Sequence, residues 1–161
     1  MLRNLSAYLE LLRPHQWLKN LMLLFPPFLG GVLFHIDSVS ALILPIISFS
    51  AGASAIYIIN DIMDIKQDAH HPKKCLRPLP SGKINSSSAL ILALLLGISA
   101  VFSGFLVSNS FLLYLLAYLT ISIAYSLWLK NIPVVEVFCV VSGFLLRLQA
   151  GGSAYGVEIS A

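Results

Sequence analysis

Long apolar stretches separated by short polar segments dominate the hydrophobic pattern of the chain. Stretches at about 39 to 59, 88 to 107 and 110 to 129 carry no charged residue, and a shorter one lies at 21 to 34. A helix needs about 20 apolar residues to cross about 30 Å of hydrocarbon. A fifth stretch follows Pro133 and contains two charges. The pattern predicts an all-α polytopic transmembrane bundle with about five membrane-spanning helices.

The composition excludes an ordinary soluble protein. Of the 161 residues, 58% are hydrophobic and 11% are charged, whereas soluble domains have about 25% charged residues. The formal net charge of +3 is too small to favour a nucleic-acid partner, and two cysteines cannot build a disulfide framework. We expect a single transmembrane domain over residues 1–161.

The basic residues mark one side of the predicted bundle. Threading five passes through a bilayer brings nine of the ten Lys and Arg residues to the same face: Arg3, Arg13, Lys19, Lys66, Lys73, Lys74, Arg77, Lys83 and Lys130. The positive-inside rule predicts that this face and the N-terminus are cytoplasmic, in an inner or plasma membrane. Residues 60–87 then form a cytoplasmic loop. The tail from Gly151 to Gly156 resembles a loop leading to another pass, so we expect a fragment of a longer protein.

An acidic cluster directly follows the second predicted pass. If that helix continues beyond residue 59, Asp61, Asp64 and Asp68 share one face at positions i, i+3 and i+7, with Asn60 beside them. Carboxylates this close need a positive partner. At the cytoplasmic opening of the bundle, here called the mouth, oxygen ligands suit Mg²⁺, which shares its coordination with substrate phosphates. The alternative is a solvated acidic helix end, which opposes the helix dipole. We favour a magnesium site.

A basic segment follows the acidic one within a few residues. Lys74 and Arg77 opposite the carboxylates would complete a pocket for a diphosphate. These cations could instead only secure topology at an anionic leaflet, which is the better interpretation for Lys83. We expect His70 and His71 to have a role in loop structure.

Two further segments end at the same predicted mouth. Residues 13–20 open the first pass, and 125–130 close the fourth, so that Lys130 reaches the same region. In the fifth pass, Glu136 and Arg147 stand about 16 Å apart along the helix axis and cannot pair with each other. Each needs another partner, and we expect Arg147 to face an internal cavity or a segment that these residues do not include.

The aspartate-rich string at 60–68 resembles the first such motif of the UbiA superfamily of intramembrane prenyltransferases. The strings at 13–20, 71–82 and 125–130 resemble its decaprenyl-phosphate phosphoribosyltransferase branch, which uses phosphoribosyl pyrophosphate and a polyprenyl phosphate. The resemblance implies a nine-helix bundle around a cavity open to the cytoplasm, with a lateral portal for the lipid. It also implies a second aspartate-rich motif, for which these residues contain no counterpart. Cys75 stands where relatives often carry a basic residue.

The resemblance implies transfer of 5-phosphoribosyl to a polyprenyl phosphate. It also implies that the protein contacts membrane lipids and can form a homo-oligomer. Asp61, Asp64 and Asp68 would be the catalytic Mg²⁺ ligands. The residues expected to bind substrate are Lys19, Asn60, Lys74, Arg77, Tyr125 and Lys130. One alternative keeps the fold and Mg²⁺ but transfers a prenyl group from its diphosphate to an aromatic acceptor. Another is a non-enzymatic transport or assembly subunit whose acidic face binds a cation.

Overall fold

Regular secondary structure is helical throughout the residues that the computed structural model describes, which are 2–36 and 38–159. The α-helices over these residues are α1 (Leu2–Leu12), α2 (Phe25–Leu29), α3 (Val39–Met63), α4 (Ile65–Ala69), α5 (Ser86–Val107), α6 (Asn109–Leu127) and α7 (Pro133–Tyr155). Short 3₁₀ helices lie at Pro14–Leu24, Val32–His35, Lys74–Leu76 and Leu129–Asn131.

Four helices are long and apolar enough to cross a membrane: Val39–Met63, Ser86–Val107, Asn109–Leu127 and Val134–Tyr155. They correspond to the last four predicted passes, and the chain is an integral membrane protein. The share of buried residues is 56% for α3 and between 17% and 22% for the others. Helix α3 is therefore the central helix, against which α5, α6 and the Pro14–Leu24 helix pack.

The first predicted pass is built differently from the other four. The Pro14–Leu24 segment is a 3₁₀ helix that leads directly into α2, where Pro26 lies in the first turn. A proline is tolerated there because the first N–H groups of a helix have no intrahelical acceptor. A 3₁₀ helix rises about 2.0 Å per residue, so the two laid end to end cover about 30 Å. Because the 3₁₀ helix is longer per residue than an α-helix, the first pass needs fewer apolar residues than the other passes.

The predicted loop at Gly151 is wrong, because α7 continues through it to Tyr155 and ends at Gly156, whose φ is 68°. Gly151 serves close packing instead of a turn. A Cβ placed on it would lie 2.2 Å from the backbone oxygen of Leu23. Helix α7 and the Pro14–Leu24 helix approach each other this closely only because Gly151 has no side chain.

Candidate active site

The aspartates lie where α3 passes into α4. The chain remains helical across this junction, because the Asp64 amide donates to the Asn60 carbonyl (3.0 Å) and the Asp68 amide donates to the Asp64 carbonyl (2.8 Å). Asp61 and Asp68 are buried, and the Asp64 side chain is 20% exposed. The helical spacing predicted from the sequence is therefore present at the end of the central helix.

The basic loop folds back onto two of these carboxylates. Arg77 Nη1 lies 2.7 Å from Asp68 Oδ2 and 3.5 Å from Asp61 Oδ1. Lys74 Nζ lies 3.6 Å from Asp68 Oδ1. One guanidinium nitrogen thus touches both acids, which brings Asp61 and Asp68 to a common point. His71 Nδ1 accepts from the amides of residues 73 and 74, which gives it the structural role expected for the loop.

Arg13 completes the charge environment of Asp61. Its Nη2 lies 2.5 Å from Asp61 Oδ1, and its Cζ lies 5.1 Å from the Tyr57 ring centroid. Among the described residues, Arg13 is the one non-glycine residue with positive φ (53°). Such a conformation costs about 1 to 3 kcal/mol and is found where surrounding contacts enforce it. The kink at Arg13 separates α1 from the Pro14–Leu24 helix and directs the guanidinium to the acid.

Asp64 has separate partners. Lys130 Nζ lies 2.6 Å from Asp64 Oδ1, and Asn60 Nδ2 donates to Asp64 Oδ2 at 3.2 Å. Lys130 follows α6, so the end of that helix is joined to the end of α3 by an ion pair between residues far apart in sequence. The fourth predicted pass therefore ends at the same mouth as the second.

The mouth combines an excess of positive charge with two converging carboxylates. Three acids contact four cations: Arg13, Lys74, Arg77 and Lys130. Over the described part of the chain, no three His, Cys, Asp or Glu side chains are grouped to hold a metal. Magnesium, however, commonly takes one or two carboxylates together with substrate phosphates. Asp61 and Asp68, which meet at Arg77, suit that donor set, whereas the three-aspartate site stays a prediction.

A cavity of about 230 Å³ lies inside the bundle between α3, α6, α7 and the Pro14–Leu24 helix. Lys19, Asn60 and Tyr125, all predicted to bind substrate, contribute to its lining. The Tyr125 hydroxyl donates to Glu136 Oε1 at 3.1 Å, so this glutamate has the partner that it needed. The cavity connects the polar mouth with the interior of the membrane-spanning region.

Sequence reasoning missed several residues of this region. Tyr57 and Tyr118 line the cavity, and the Tyr57 hydroxyl donates to Gln16 Oε1 at 3.3 Å. Their helical spacing was the available signal, since Tyr57 is one turn before Asn60 and Tyr118 is two turns before Tyr125. Trp17 was missed as well, and it ties the first pass to α3.

The Trp17 indole Nε1 donates to Ser54 Oγ at 2.9 Å, and that hydroxyl donates to the Leu12 carbonyl at 2.8 Å. This short chain of hydrogen bonds joins the end of α1, the Pro14–Leu24 helix and α3. It therefore holds the neighbouring Arg13 in place beside the mouth.

Comparison with known proteins identifies one family and relatives that transfer different groups. The model described as "UbiA prenyltransferase family" matches residues 23–161. Decaprenyl-phosphate phosphoribosyltransferase of Mycobacterium tuberculosis is 32% identical over 159 residues, covering 96% of this chain and 53% of the relative. 4-Hydroxybenzoate octaprenyltransferase of Vibrio campbellii is 37% identical over 97 residues, covering 59% of this chain and 34% of the relative. The chain thus spans about half the length of the first relative.

A solved structure has the same architecture. The UbiA homologue of Archaeoglobus fulgidus bound to DMAPP and Mg²⁺ superimposes with a TM-score of 0.79 at 25% identity, covering 96% of this chain and 56% of the homologue.

Proposed function

Because the chain belongs to the UbiA prenyltransferase family, we propose that it supplies the donor-binding half of a Mg²⁺-dependent membrane transferase. The transferred group is 5-phosphoribosyl, the donor is phosphoribosyl pyrophosphate, and the acceptor is a polyprenyl phosphate. The observation that carries the proposal is the convergence of Asp61 and Asp68 on Arg77 beside Arg13 and Lys74. The similarity to the mycobacterial relative favours this donor and acceptor.

The chain's own groups act mainly on the leaving pyrophosphate. Carbon–oxygen cleavage at the anomeric carbon places negative charge on that group, and positioned cations stabilise the charge as it develops. Arg77 and Lys74 would turn from the carboxylates to the phosphates, and Lys130 and Lys19 would hold the outer oxygens. Magnesium, when bound by Asp61 and Asp68, supplies further neutralisation of the leaving group.

The acceptor requires little activation. A phosphate monoester is already anionic near neutral pH, so transfer to it needs no dedicated general base. Tyr125, which is fixed by its hydrogen bond to Glu136, would orient a substrate within the cavity. The excess of basic residues at this mouth supports its location on the cytoplasmic side of the membrane.

A second candidate function keeps the same site but has a different donor. In it the isoprenoid is the group transferred, not the acceptor. The octaprenyltransferase relative and the homologue structure bound to DMAPP favour prenyl transfer from a diphosphate to an aromatic acceptor. In that reaction the same acids and cations would hold the prenyl diphosphate.

Radiolabel transfer separates the two reactions. Membranes from cells expressing the protein are given Mg²⁺, a polyprenyl phosphate and phosphoribosyl pyrophosphate labelled in the ribose. Label in the lipid fraction that disappears with EDTA or with Asp68→Asn supports the proposal. Glu158→Gln is the matched control, since Glu158 is an exposed acid that follows the C-terminal end of α7, whereas Lys130 of the mouth precedes the N-terminal end of that helix. Label that stays in water, together with prenylation of 4-hydroxybenzoate from a labelled prenyl diphosphate, would establish the second reaction instead.

A further inference from the structure

A buried guanidinium lies deep in the bundle, away from the mouth. Arg147 of α7 is 6% exposed. Its Nε donates to Asn20 Oδ1 (2.9 Å), its Nη2 to the Tyr118 hydroxyl (3.0 Å) and its Nη1 to the Gly143 carbonyl (2.7 Å). The close contact at Gly151 brings Asn20 to this position, because Gly151 lies one turn beyond Arg147 and packs on Leu23.

All of these partners are neutral. Within the described residues, the carboxylates that form ion pairs do so with other cations, and none pairs with Arg147. An arginine near the centre of a membrane-spanning helix is costly to insert, and such residues line cavities or bind substrates. The guanidinium also lies 4.5 Å from the Tyr118 ring centroid, which is a cation–π contact, but it has no carboxylate partner among the described residues.

The guanidinium borders the cavity and retains donors. Arg147 is part of the same cavity lining as Lys19 and Tyr125. A guanidinium has five N–H donors, and the three hydrogen bonds use one on each nitrogen. One further N–H therefore remains on each terminal nitrogen. Two donors on a planar cation are what a two-point contact with an oxyanion requires.

Arg147 is also remote from the aspartates. Its Cζ lies 5.9 Å from the Phe49 ring of α3. Phe49 precedes Asp61 by more than three helical turns, which is about 18 Å along the axis at about 1.5 Å per residue. A single diphosphate held by Arg77 does not extend over this distance. The molecule therefore offers two separate positions for anionic groups, one beside the carboxylates at the mouth and one at Arg147 in the cavity.

We infer that Arg147, oriented by Asn20 and Tyr118, binds a phosphate monoester of a substrate inside the cavity. This inference builds on the proposed function, which supplies two such groups. One is the head of the acceptor lipid, and the other is the 5-phosphate of the donor.

The test uses Asn20→Asp, which changes the charge but almost nothing in shape. The new carboxylate keeps the contact with Arg147 and cancels its charge. The Ser50 hydroxyl, which accepts from Asn20 Nδ2 at 3.0 Å, can turn to donate to the carboxylate, so the fold is retained and the melting temperature does not fall. Loss of a charged hydrogen-bonded contact is worth about 1.5 to 3 kcal/mol, so affinity for the phosphate should fall about tenfold or more. Asn20→Ser is the matched control, because it removes a hydrogen bond from Arg147 but leaves its charge free.

Calorimetric titration of the purified protein with three probes completes the test: farnesyl phosphate, ribose 5-phosphate, and pyrophosphate with Mg²⁺. Weakened farnesyl phosphate binding in Asn20→Asp but not in Asn20→Ser assigns the subsite to the lipid. The same result with ribose 5-phosphate assigns it to the donor. Unchanged binding of both monoesters in Asn20→Asp overturns the inference, as does failure of the unmodified protein to bind either.

Two further readouts keep the conclusions separate. If Asn20→Asp does not fold, Arg147→Lys replaces it, since lysine keeps the charge but loses the two-point contact. A fall of about tenfold in monoester affinity supports the inference, and equal affinity overturns it. Absence of binding of Mg²⁺-pyrophosphate to the unmodified protein would overturn the proposed function, whichever way Arg147 behaves.

Discussion

Replacing Arg77 by methionine removes the cation shared by two buried acids. Asp68 would retain Lys74 at 3.6 Å, whose side chain is 45% exposed, and Asp61 would retain Arg13 at 2.5 Å. Removing one partner of a buried pair costs about 3 to 5 kcal/mol when the remaining charge is left alone. Because both acids keep one cation, we expect a loss of about 2 kcal/mol.

Thermal unfolding of the purified protein in EDTA, followed by tryptophan fluorescence, measures this loss. A change of about 2 kcal/mol corresponds to about 4 to 8 °C for a chain of this size. Lys74→Met is the matched control, because an exposed ion pair contributes about 0 to 1 kcal/mol. Equal melting temperatures for the Arg77→Met and Lys74→Met variants would show that Arg77 does not carry the electrostatics of the site.

Magnesium provides a second arm of the same experiment. In Arg77→Met the carboxylates of Asp61 and Asp68 lose their common cation, and Mg²⁺ is suited to take its place. Added Mg²⁺ should therefore raise the melting temperature of this variant more than that of the unmodified protein. The double variant Arg77→Met/Asp68→Asn should lose this extra Mg²⁺-dependent rise in melting temperature. If Mg²⁺ affects all three proteins equally, the two acids are not its ligands.

Two other substitutions test the packing and the mouth. Gly151→Ala should lower the melting temperature because its Cβ would meet the Leu23 backbone. Gly97→Ala is the control, since it has open space and should be neutral or stabilising by up to about 1 kcal/mol. Equal effects of the two substitutions would contradict the close approach of α7 and the Pro14–Leu24 helix. Lys130→Met should weaken binding of Mg²⁺-pyrophosphate about tenfold or more in calorimetry, because it removes a charged contact and leaves Asp64 without its cation. Unchanged affinity would exclude Lys130 from donor binding.

Several features of the fold could be predicted from local properties of the sequence. The charge-free stretches in α3, α5 and α6 have the length of a bilayer, and a membrane selects for that length directly. The helical spacing of Asp61, Asp64 and Asp68 follows from the geometry of a single helix. Both properties are contained in about 20 consecutive residues, so no knowledge of the rest of the chain is needed.

Predictions failed where a residue's role depends on a distant contact. Gly151 was expected in a loop, yet it lies in α7. Glycine occurs at this helical position because the backbone of Leu23 occupies the place of a side chain. The first pass was expected to be short, but the 3₁₀ form of Pro14–Leu24, which packs between α3 and α7, was not predicted. A local pattern does not contain the neighbour that makes either choice favourable.

The sequence alone therefore determined that the chain crosses a membrane and gathers acids beside cations at one end of a helix. Tertiary structure decided which cation meets which acid, as with Arg13 and Asp61, and which neutral groups surround Arg147. The physical reason is one of range. Hydrophobic length and helical phase act along a continuous segment, whereas an ion pair or a buried hydrogen bond forms only after separate helices have packed together.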